Sequence, residues 1–148
     1  MPVFEPRDPN FQERIATSFA NQPFISLLGC ELQRVAPGEI DIRMAFRPEH
    51  AQQHGYVHGG AMTAIADAAA GYAAMTLAGP GTGVLTTELK VNFLRPAGRG
   101  ALVAKGRVIK PGRSLNICQA DVFEEAEGED IHVLTGLVTM MFMPGLEG

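Results

Sequence analysis

The stretch HGGAMTAIADAAAGYAAMTL, residues 58–77, decides the fold of this chain. Apolar or small side chains cover every side of the helix that it predicts, and Asp67 is the one charged residue within it. A helix that is apolar all round has to be buried on all sides. The stretch therefore predicts a long central helix that the rest of the chain surrounds, and Gly79-Pro80-Gly81 ends it.

Strand patterns make up most of the remaining chain. Two short strands are expected within residues 28–46, separated by the turn dipeptide Pro37-Gly38. Four longer strands follow the helix, and the short turns between them predict an antiparallel meander. These four strands are expected at residues 86–94, 101–110, 114–124 and 131–143. The predicted fold class is therefore α+β, with an antiparallel sheet of about six strands wrapped around the long helix.

The faces of two of these strands can be assigned from their alternation. In residues 86–94, Thr87 shares one face with the apolar residues, and Thr86 lies on the other face with the polar residues. The strand at residues 131–143 is apolar on both faces, since Leu134 and Leu137 point to opposite sides. An apolar outer face of this kind is often covered by another subunit.

One domain accounts for the 148 residues, because no internal repeat or linker interrupts them. Three apolar residues spaced four apart in residues 8–20 predict a short amphipathic helix, which Pro23 ends. We therefore expect a single domain over residues 1–148, in which residues 1–24 form a helical extension and residues 25–143 form the core.

The formal net charge of −4 argues against nucleic-acid binding, because phosphate contacts need a clustered basic surface. The charges are segregated along the chain, however. Seven of the 12 basic residues lie within residues 90–113, which contain no Asp or Glu. No Lys or Arg follows Arg113. A local site for a compact anion is therefore compatible with the acidic total.

No segment predicts secretion or a membrane span. Residues 1–10 lack the basic start and the apolar run of a secretory signal. The long helix carries Asp67 near its middle, and a carboxylate there costs about 2.5–3.5 kcal/mol on membrane-insertion scales. Cys30 and Cys118 are too few for a disulfide framework, so we expect a cytoplasmic protein without a membrane partner.

Asp67 is the first candidate for chemistry, because a lone carboxylate in an apolar helix is costly to bury unless it has partners or a function. It could serve as an active-site acid, base or nucleophile. The structural alternative is a carboxylate that accepts hydrogen bonds from backbone or hydroxyl donors inside the core.

The triplet His58-Gly59-Gly60 opens the same helix. The first amides of a helix have no partner within it and lie at the positive end of its dipole. Glycines let a ligand oxygen approach them closely, so the triplet could hold the oxyanion that forms when an acyl carbonyl is attacked. The alternative is that both glycines serve only close packing at the helix start.

The spacing of Gly59 and Asp67 constrains how they could act together. They are eight residues apart, which is about 12 Å along one helix at about 1.5 Å per residue. Both cannot touch one carbonyl carbon within the same chain. If both act on one substrate, one of them comes from a neighbouring subunit, and this predicts a symmetric homodimer with two sites.

Three segments of the chain carry a resemblance to the hotdog-fold acyl-CoA thioesterases, above all to the phenylacetate-degradation type. They are QQHGYVHGG with the following ADAAAG (residues 52–71), TTELKVNFLRPA (residues 86–97) and GRVIKPGRS (residues 106–114). The resemblance covers about residues 25–143. It implies a long helix wrapped by an antiparallel sheet, homodimers that usually pair into homotetramers, and hydrolysis of acyl-CoA. No cofactor is implied, since coenzyme A is part of the substrate.

The resemblance implies catalytic roles for four residues. Asp67 matches the helix carboxylate that attacks the thioester or activates water, and these two routes stay open. Gly59 matches the backbone amide that polarises the thioester carbonyl. Thr86 falls where relatives place a Ser or Thr near the attacking water, on the same side as Asp67. Gln52 falls where many relatives have an Asn beside the thioester, and its longer side chain moves the amide.

Substrate-binding roles are expected for five further residues. His58 and Gly60 lie at the helix start, where His58 is expected to order the local backbone. Arg95, Lys110 and Arg113 belong to the basic stretch, and coenzyme A carries phosphates that Arg and Lys hold well. The turn from Lys110 to Arg113 is the best placed of these for a phosphate clamp, and the alternative is an ordinary solvated strand edge.

Two other functions remain open from the sequence. A hotdog hydratase or dehydratase would need a catalytic His opposite an acid, and only His54 or His58 with Asp67 is available. A non-catalytic acyl-CoA sensor of the same fold would bind without turnover, and Gln52 is compatible with it. No metal is expected, because His54 and His58 lack the HExxH pattern of a zinc site. Phenylacetyl, hydroxylated aryl and medium-chain fatty acyl groups are all possible substrates.

Overall fold

A computed structural model describes residues 3–147 of the chain. Residues 1, 2 and 148 of the expected domain lie outside the described residues. The elements in chain order are α1 (Phe11–Ala20), α2 (Pro23–Leu27), β1 (Cys30–Ala36), β2 (Glu39–Met44), a 3-10 turn (Pro48–His50), α3 (Gly59–Met75), β3 (Thr82–Phe93), β4 (Leu102–Lys110), β5 (Leu115–Glu124) and β6 (Ile131–Pro144).

The six strands form one antiparallel sheet in the order β1-β2-β4-β5-β6-β3, and α3 packs against its inner face. This arrangement confirms the predicted α+β class. Pro23 does end the first helix region, but it also begins the short helix α2, because proline is well suited to the first position of a helix. The strand β3 starts at Thr82, four residues before the predicted start.

The C-terminal half of α3 is enclosed by the sheet and by α1. Its alanines Ala69, Ala70, Ala73 and Ala74 are all 0% exposed. Small residues on both surfaces allow this close packing. A Cβ atom at Gly106 of β4 would overlap the carbonyl oxygen of Ala69, so only glycine fits at this crossing.

The N-terminal half of α3 is less buried than the sequence predicts. Gly60 is exposed, and Thr63, Ala64 and Asp67 are partly exposed. The expectation of burial on every side is therefore wrong for this half within one chain. The sheet ends at β3, so no further strand of the described chain covers the flank of α3 beyond it.

A β-bulge in β3 changes which threonine faces the helix. Thr86 pairs with Met140 and Glu88 pairs with the adjacent Thr139, which leaves Thr87 as an extra residue. An extra residue resets the alternation of a strand. Thr86 therefore points to α3, and its predicted position on the polar outer face is wrong.

The guanidinium of Arg14 connects α1 to the C-terminal end of α3. It donates hydrogen bonds of 2.8–3.2 Å to four backbone carbonyls, those of Met75, Ala78, Gly79 and Thr82. The Arg14 Nε atom also lies 3.3 Å from a carboxylate oxygen of Asp8. Carbonyls at a helix end lack partners within the helix, so this contact both caps α3 and fixes α1 beside it.

Candidate active site

Asp67 and Thr86 meet on the inner side of the edge strand. The Thr86 hydroxyl donates a hydrogen bond of 2.7 Å to Oδ1 of Asp67. Asp67 comes from the partly open half of α3, and the bulge in β3 aims Thr86 at it. The bond fixes the carboxylate, while Oδ2 has no hydrogen-bond partner among the described residues and can accept from water or attack a carbon.

A cavity of about 320 Å³ lies beside this pair. Besides Asp67 and Thr86, it is lined by Ser18 of α1, by Gln22 in the turn between α1 and α2, and by Tyr72 further along α3. No feature of the sequence indicates that α1 reaches this site, because the amphipathic pattern of α1 predicts only packing. The volume falls at the lower end of the usual range for small-molecule pockets, which is about 300–1,000 Å³.

The start of α3 leaves one amide available. His58 caps the helix, with its Nδ1 accepting a 2.7 Å hydrogen bond from the Gly60 amide. The amides of Ala61 and Met62 donate to the carbonyl of His58. The Gly59 amide has no partner among residues 3–147, so it is the donor that a substrate oxygen could use. His58 orders the helix start as expected, and the Gly60 amide is already engaged by it.

The Gly59 amide borders a second cavity, of about 430 Å³, which Gln52, Phe93 and Arg95 also line. A Cβ atom at Gly59 would lie 3.0 Å from Cζ of Phe93, so close packing also favours glycine here. Gln52 stands in the turn before the helix, where its Oε1 accepts a 2.5 Å hydrogen bond from the His54 amide. The Nε2 group of Gln52 has no partner within the described residues and can donate into the cavity.

The two sets of predicted catalytic residues therefore face different cavities of one chain. Asp67 and Thr86 line the first cavity, Gln52 and Gly59 line the second, and the two linings share no residue. The separation agrees with the spacing of about 12 Å expected along one helix. His58 is held at the helix start, so the His58–Asp67 pairing that a hydratase would need does not form within one chain.

The predicted basic residues are only partly brought together. Arg95 lines the cavity beside Gly59. Lys110, at the end of β4, and Arg113, in the turn that follows, are exposed and line neither cavity. Other members of the basic stretch are engaged elsewhere: Arg107 bonds to Asp41 at 2.8 Å.

The cysteines offer no nucleophile in this structure. Burial raises the pKa of Cys30 to about 11 and that of Cys118 to about 12. A thiol with such a pKa stays protonated near neutral pH and is unreactive. Within residues 3–147, no three His, Cys, Asp or Glu side chains are grouped in a way that could hold a metal ion. None of the helices in that range has the length and apolarity needed to cross a membrane.

Comparison with known proteins places this arrangement in a family. Residues 54–131 match the family described as Thioesterase superfamily. A Halobacterium salinarum protein proposed to be an esterase is 32% identical over 111 residues, which cover 72% of this chain and 73% of the relative.

Solved structures agree with this match. A thioesterase family protein from Silicibacter pomeroyi superposes with a TM-score of 0.88 at 35% identity, covering 91% of this chain and 99% of that chain. The E. coli PaaI protein, from the phenylacetic acid degradation operon, shares the fold with a TM-score of 0.83 at 18% identity, covering 94% of this chain and 97% of its own. The chain therefore belongs to the thioesterase superfamily and is a thioester hydrolase with the hotdog fold.

Proposed function

We propose that this thioesterase hydrolyses an acyl-CoA to the free acid and coenzyme A, at a site that two copies of the chain form together. One observation carries the proposal. The free Gly59 amide and the Asp67–Thr86 pair border different cavities of the same chain, although thioester hydrolysis needs a carbonyl-polarising donor and an attacking group at one carbon. No cofactor takes part, because coenzyme A arrives as part of the substrate.

The edge strand β3 supports assembly of a homodimer. It is 12 residues long and has a neighbour on one side only. A long unpaired edge is a template for pairing with another chain. A second copy paired along β3 would extend the sheet and cover the partly exposed flank of α3, including Ala64. Such an isologous contact would create two equivalent sites.

The outer face of the sheet supports a further pairing into a homotetramer. Four of its apolar side chains are exposed by 38–53%, namely Leu85, Leu115, Leu137 and Met141. Met141 is in register with both Leu85 and Leu115, so the side chains of these three residues lie next to one another across three strands. A contiguous apolar patch on a sheet face is typical of a surface that another subunit covers.

In the proposed site, the Gly59 amide donates to the thioester carbonyl oxygen and stabilises the negative charge that develops there. In one route, Asp67 of the partner subunit takes a proton from water while the water oxygen bonds to the carbonyl carbon. In the other, its carboxylate oxygen forms that bond, and water then hydrolyses the anhydride. In both routes the C–S bond breaks, and coenzyme A leaves as the thiolate and is protonated.

Thr86 and Gln52 support the reacting groups. The Thr86 hydroxyl holds Oδ1 of Asp67 and so orients Oδ2 toward the substrate. The free Nε2 group of Gln52 faces the Gly59 cavity and can donate beside the carbonyl. Arg95 lines the same cavity, where its guanidinium is placed for a phosphate of coenzyme A, and Lys110 and Arg113 remain candidates for the other phosphates.

Complementation between two inactive variants tests both the reaction and the shared site. Gly59→Ala keeps the amide but places a Cβ atom 3.0 Å from Cζ of Phe93, which displaces the helix start beside the carbonyl. Gly59→Ala and Asp67→Asn are each expected to lose most of the hydrolysis of an acyl-CoA panel that includes phenylacetyl-CoA and octanoyl-CoA. Unfolding and refolding of an equal mixture forms mixed dimers in which one of the two sites has both an intact Gly59 and an intact Asp67. The mixture should recover about a quarter of the wild-type kcat.

The matched control combines Asp67→Asn with Thr86→Val, two variants whose changed residues come from the same subunit in each proposed site. In every mixed dimer of that pair, one site lacks the Asp67 carboxylate and the other lacks the Thr86 hydroxyl. The activity of the mixture should therefore not exceed that of the separate variants. Equal behaviour of the two mixtures would contradict the shared site. Absence of hydrolysis across the whole acyl-CoA panel by the wild-type protein would contradict the substrate class.

A further inference from the structure

The cavity beside Asp67 ends in a cluster of three polar side chains, which come from α1, from the turn after it and from α3. The hydroxyls of Ser18 and Tyr72 lie 3.2 Å apart, and Nε2 of Gln22 donates a 3.3 Å hydrogen bond to the Tyr72 hydroxyl. Tyr72 is 5% exposed and Ser18 is 9% exposed. The wall between this cluster and Asp67 is made of small or apolar side chains, among them Ala68 and Val84.

The cluster has more hydrogens to donate than it uses internally. Ser18 and Tyr72 bring one hydroxyl hydrogen each, and their mutual bond uses only one of the two. The side-chain amide of Gln22 has two hydrogens, of which the bond to Tyr72 uses one. One buried hydroxyl hydrogen is therefore available for an acceptor, and none of the residues described in the structure accepts it. A buried donor is costly unless it is paired, so the cluster favours an acceptor atom in the cavity.

The charges around the cavity determine what kind of acceptor fits. No Lys or Arg lines it, and Asp67 already brings a carboxylate to its other end. Burial raises the pKa of Tyr72, so the phenol stays neutral and keeps its hydrogen. A second carboxylate would be desolvated against neutral donors and repelled by Asp67. A neutral oxygen, such as a hydroxyl or a carbonyl, avoids both costs.

We infer that Tyr72, Ser18 and Gln22 select acyl groups that carry a neutral oxygen at the end far from the thioester. The inference rests on the proposed function, because it requires the acyl group to enter the cavity beside Asp67. Tyr72 follows Asp67 by five residues, which is a rise of about 7.5 Å along the helix. The oxygen is therefore separated from the thioester carbon by a ring or a short chain.

Matched substrate pairs test this selection in the full-length enzyme. The pairs are para-hydroxyphenylacetyl-CoA with phenylacetyl-CoA, and ω-hydroxyoctanoyl-CoA with octanoyl-CoA. In at least one pair, the wild-type kcat/KM for the hydroxylated member should exceed that for its partner by about three- to tenfold, the value of one hydrogen bond. Tyr72→Phe and Ser18→Ala should each reduce this ratio toward one.

Ser26→Ala is the matched control, because Ser26 is exposed on α2 and lines neither cavity. It should leave the ratio at the wild-type value. A loss of packing between α1 and α3 would slow both members of a pair alike, whereas loss of a donor changes their ratio. Wild-type ratios of one in both pairs, or a Tyr72→Phe variant that retains the preference, would overturn the inference while the proposed function stands.

Binding of para-cresol and toluene gives a second measurement that does not depend on acyl-CoA turnover. Chemical-shift titration of the full-length protein should show para-cresol binding about three- to tenfold more tightly than toluene, with shifts at Tyr72 and Ser18. The difference should disappear in Tyr72→Phe and persist in Ser26→Ala. Equal binding of the two probes by the wild-type protein would refute the polar cluster as a selector, even if the enzyme proved inactive on every acyl-CoA.

Discussion

In its C-terminal half α3 is enclosed on every side, whereas its N-terminal half keeps one flank partly exposed, although alanine and glycine dominate both halves. The enclosed half supplies packing surface and the far wall of the cavity. The partly open half carries Gly59 and Asp67. Composition alone thus predicts that a helix will be buried, but it does not tell whether the same chain or a second copy buries it.

Replacing Asp67 should produce the largest change and would test the chemical role of the open half. Asp67→Asn keeps the shape of the side chain and removes its charge, so kcat/KM should fall by about 100- to 10,000-fold, the usual contribution of a catalytic acid or base. Steady-state hydrolysis of acyl-CoA measures it. Glu127→Gln makes the same chemical change on an exposed residue of the loop between β5 and β6 and should retain activity. Near-wild-type turnover by Asp67→Asn would contradict a catalytic role for Asp67 and for the N-terminal half of α3.

A methyl group at Gly106 should have the next largest effect and would test the enclosed half. The new Cβ would collide with the carbonyl of Ala69, so Gly106→Ala should lower the free energy of unfolding by at least about 1–3 kcal/mol. Urea denaturation measures this change. Gly79→Ala is the matched control, since a Cβ there meets no atom within 4 Å. Equal stabilities for the two variants would show that α3 and β4 are less tightly packed than described.

A charge at Ala64 should have a smaller effect and would test what covers the open flank. Ala64 is only partly buried in one chain, so Ala64→Glu should cost the folded monomer less than about 1 kcal/mol. The charge would be buried in the proposed dimer, and the dimer dissociation constant should rise by about tenfold or more. Sedimentation at several concentrations, with circular dichroism for the fold, separates the two effects. Unchanged association would place the contact between copies elsewhere.

Much of the fold is predictable because its signals are local. The apolar run around Asp67 indicates the central helix, and the Pro-Gly turn dipeptides separate the strands. The bulge at Thr87 has no such signal. Two adjacent threonines fit a regular strand equally well, and only pairing with β6 shows that one of them is extra. Assignment of Thr86 to a strand face therefore failed, although its proximity to Asp67 follows from the family resemblance.

The candidate site was predictable to the extent that it depends on positions along one helix. The spacing of Gly59 and Asp67 is a property of the sequence, and their separation into two cavities follows from it. The contribution of Ser18 and Gln22 depends on how α1 docks, which Arg14 fixes through carbonyls 61–68 residues away in the chain. Contacts over that distance leave no periodic pattern in the sequence of α1.

The bulge at Thr87 also bears on which chains can join the edge of the sheet. A flat, regular edge accepts almost any extended strand, and that promiscuity leads to aggregation. An extra residue interrupts the row of donors and acceptors and increases the local twist. An incoming strand must match that interruption to pair along the full length of β3, and another copy of β3 carries the same irregularity. Thr87, the extra residue that turns Thr86 toward Asp67, would thereby make the edge of β3 pair preferentially with another copy of β3.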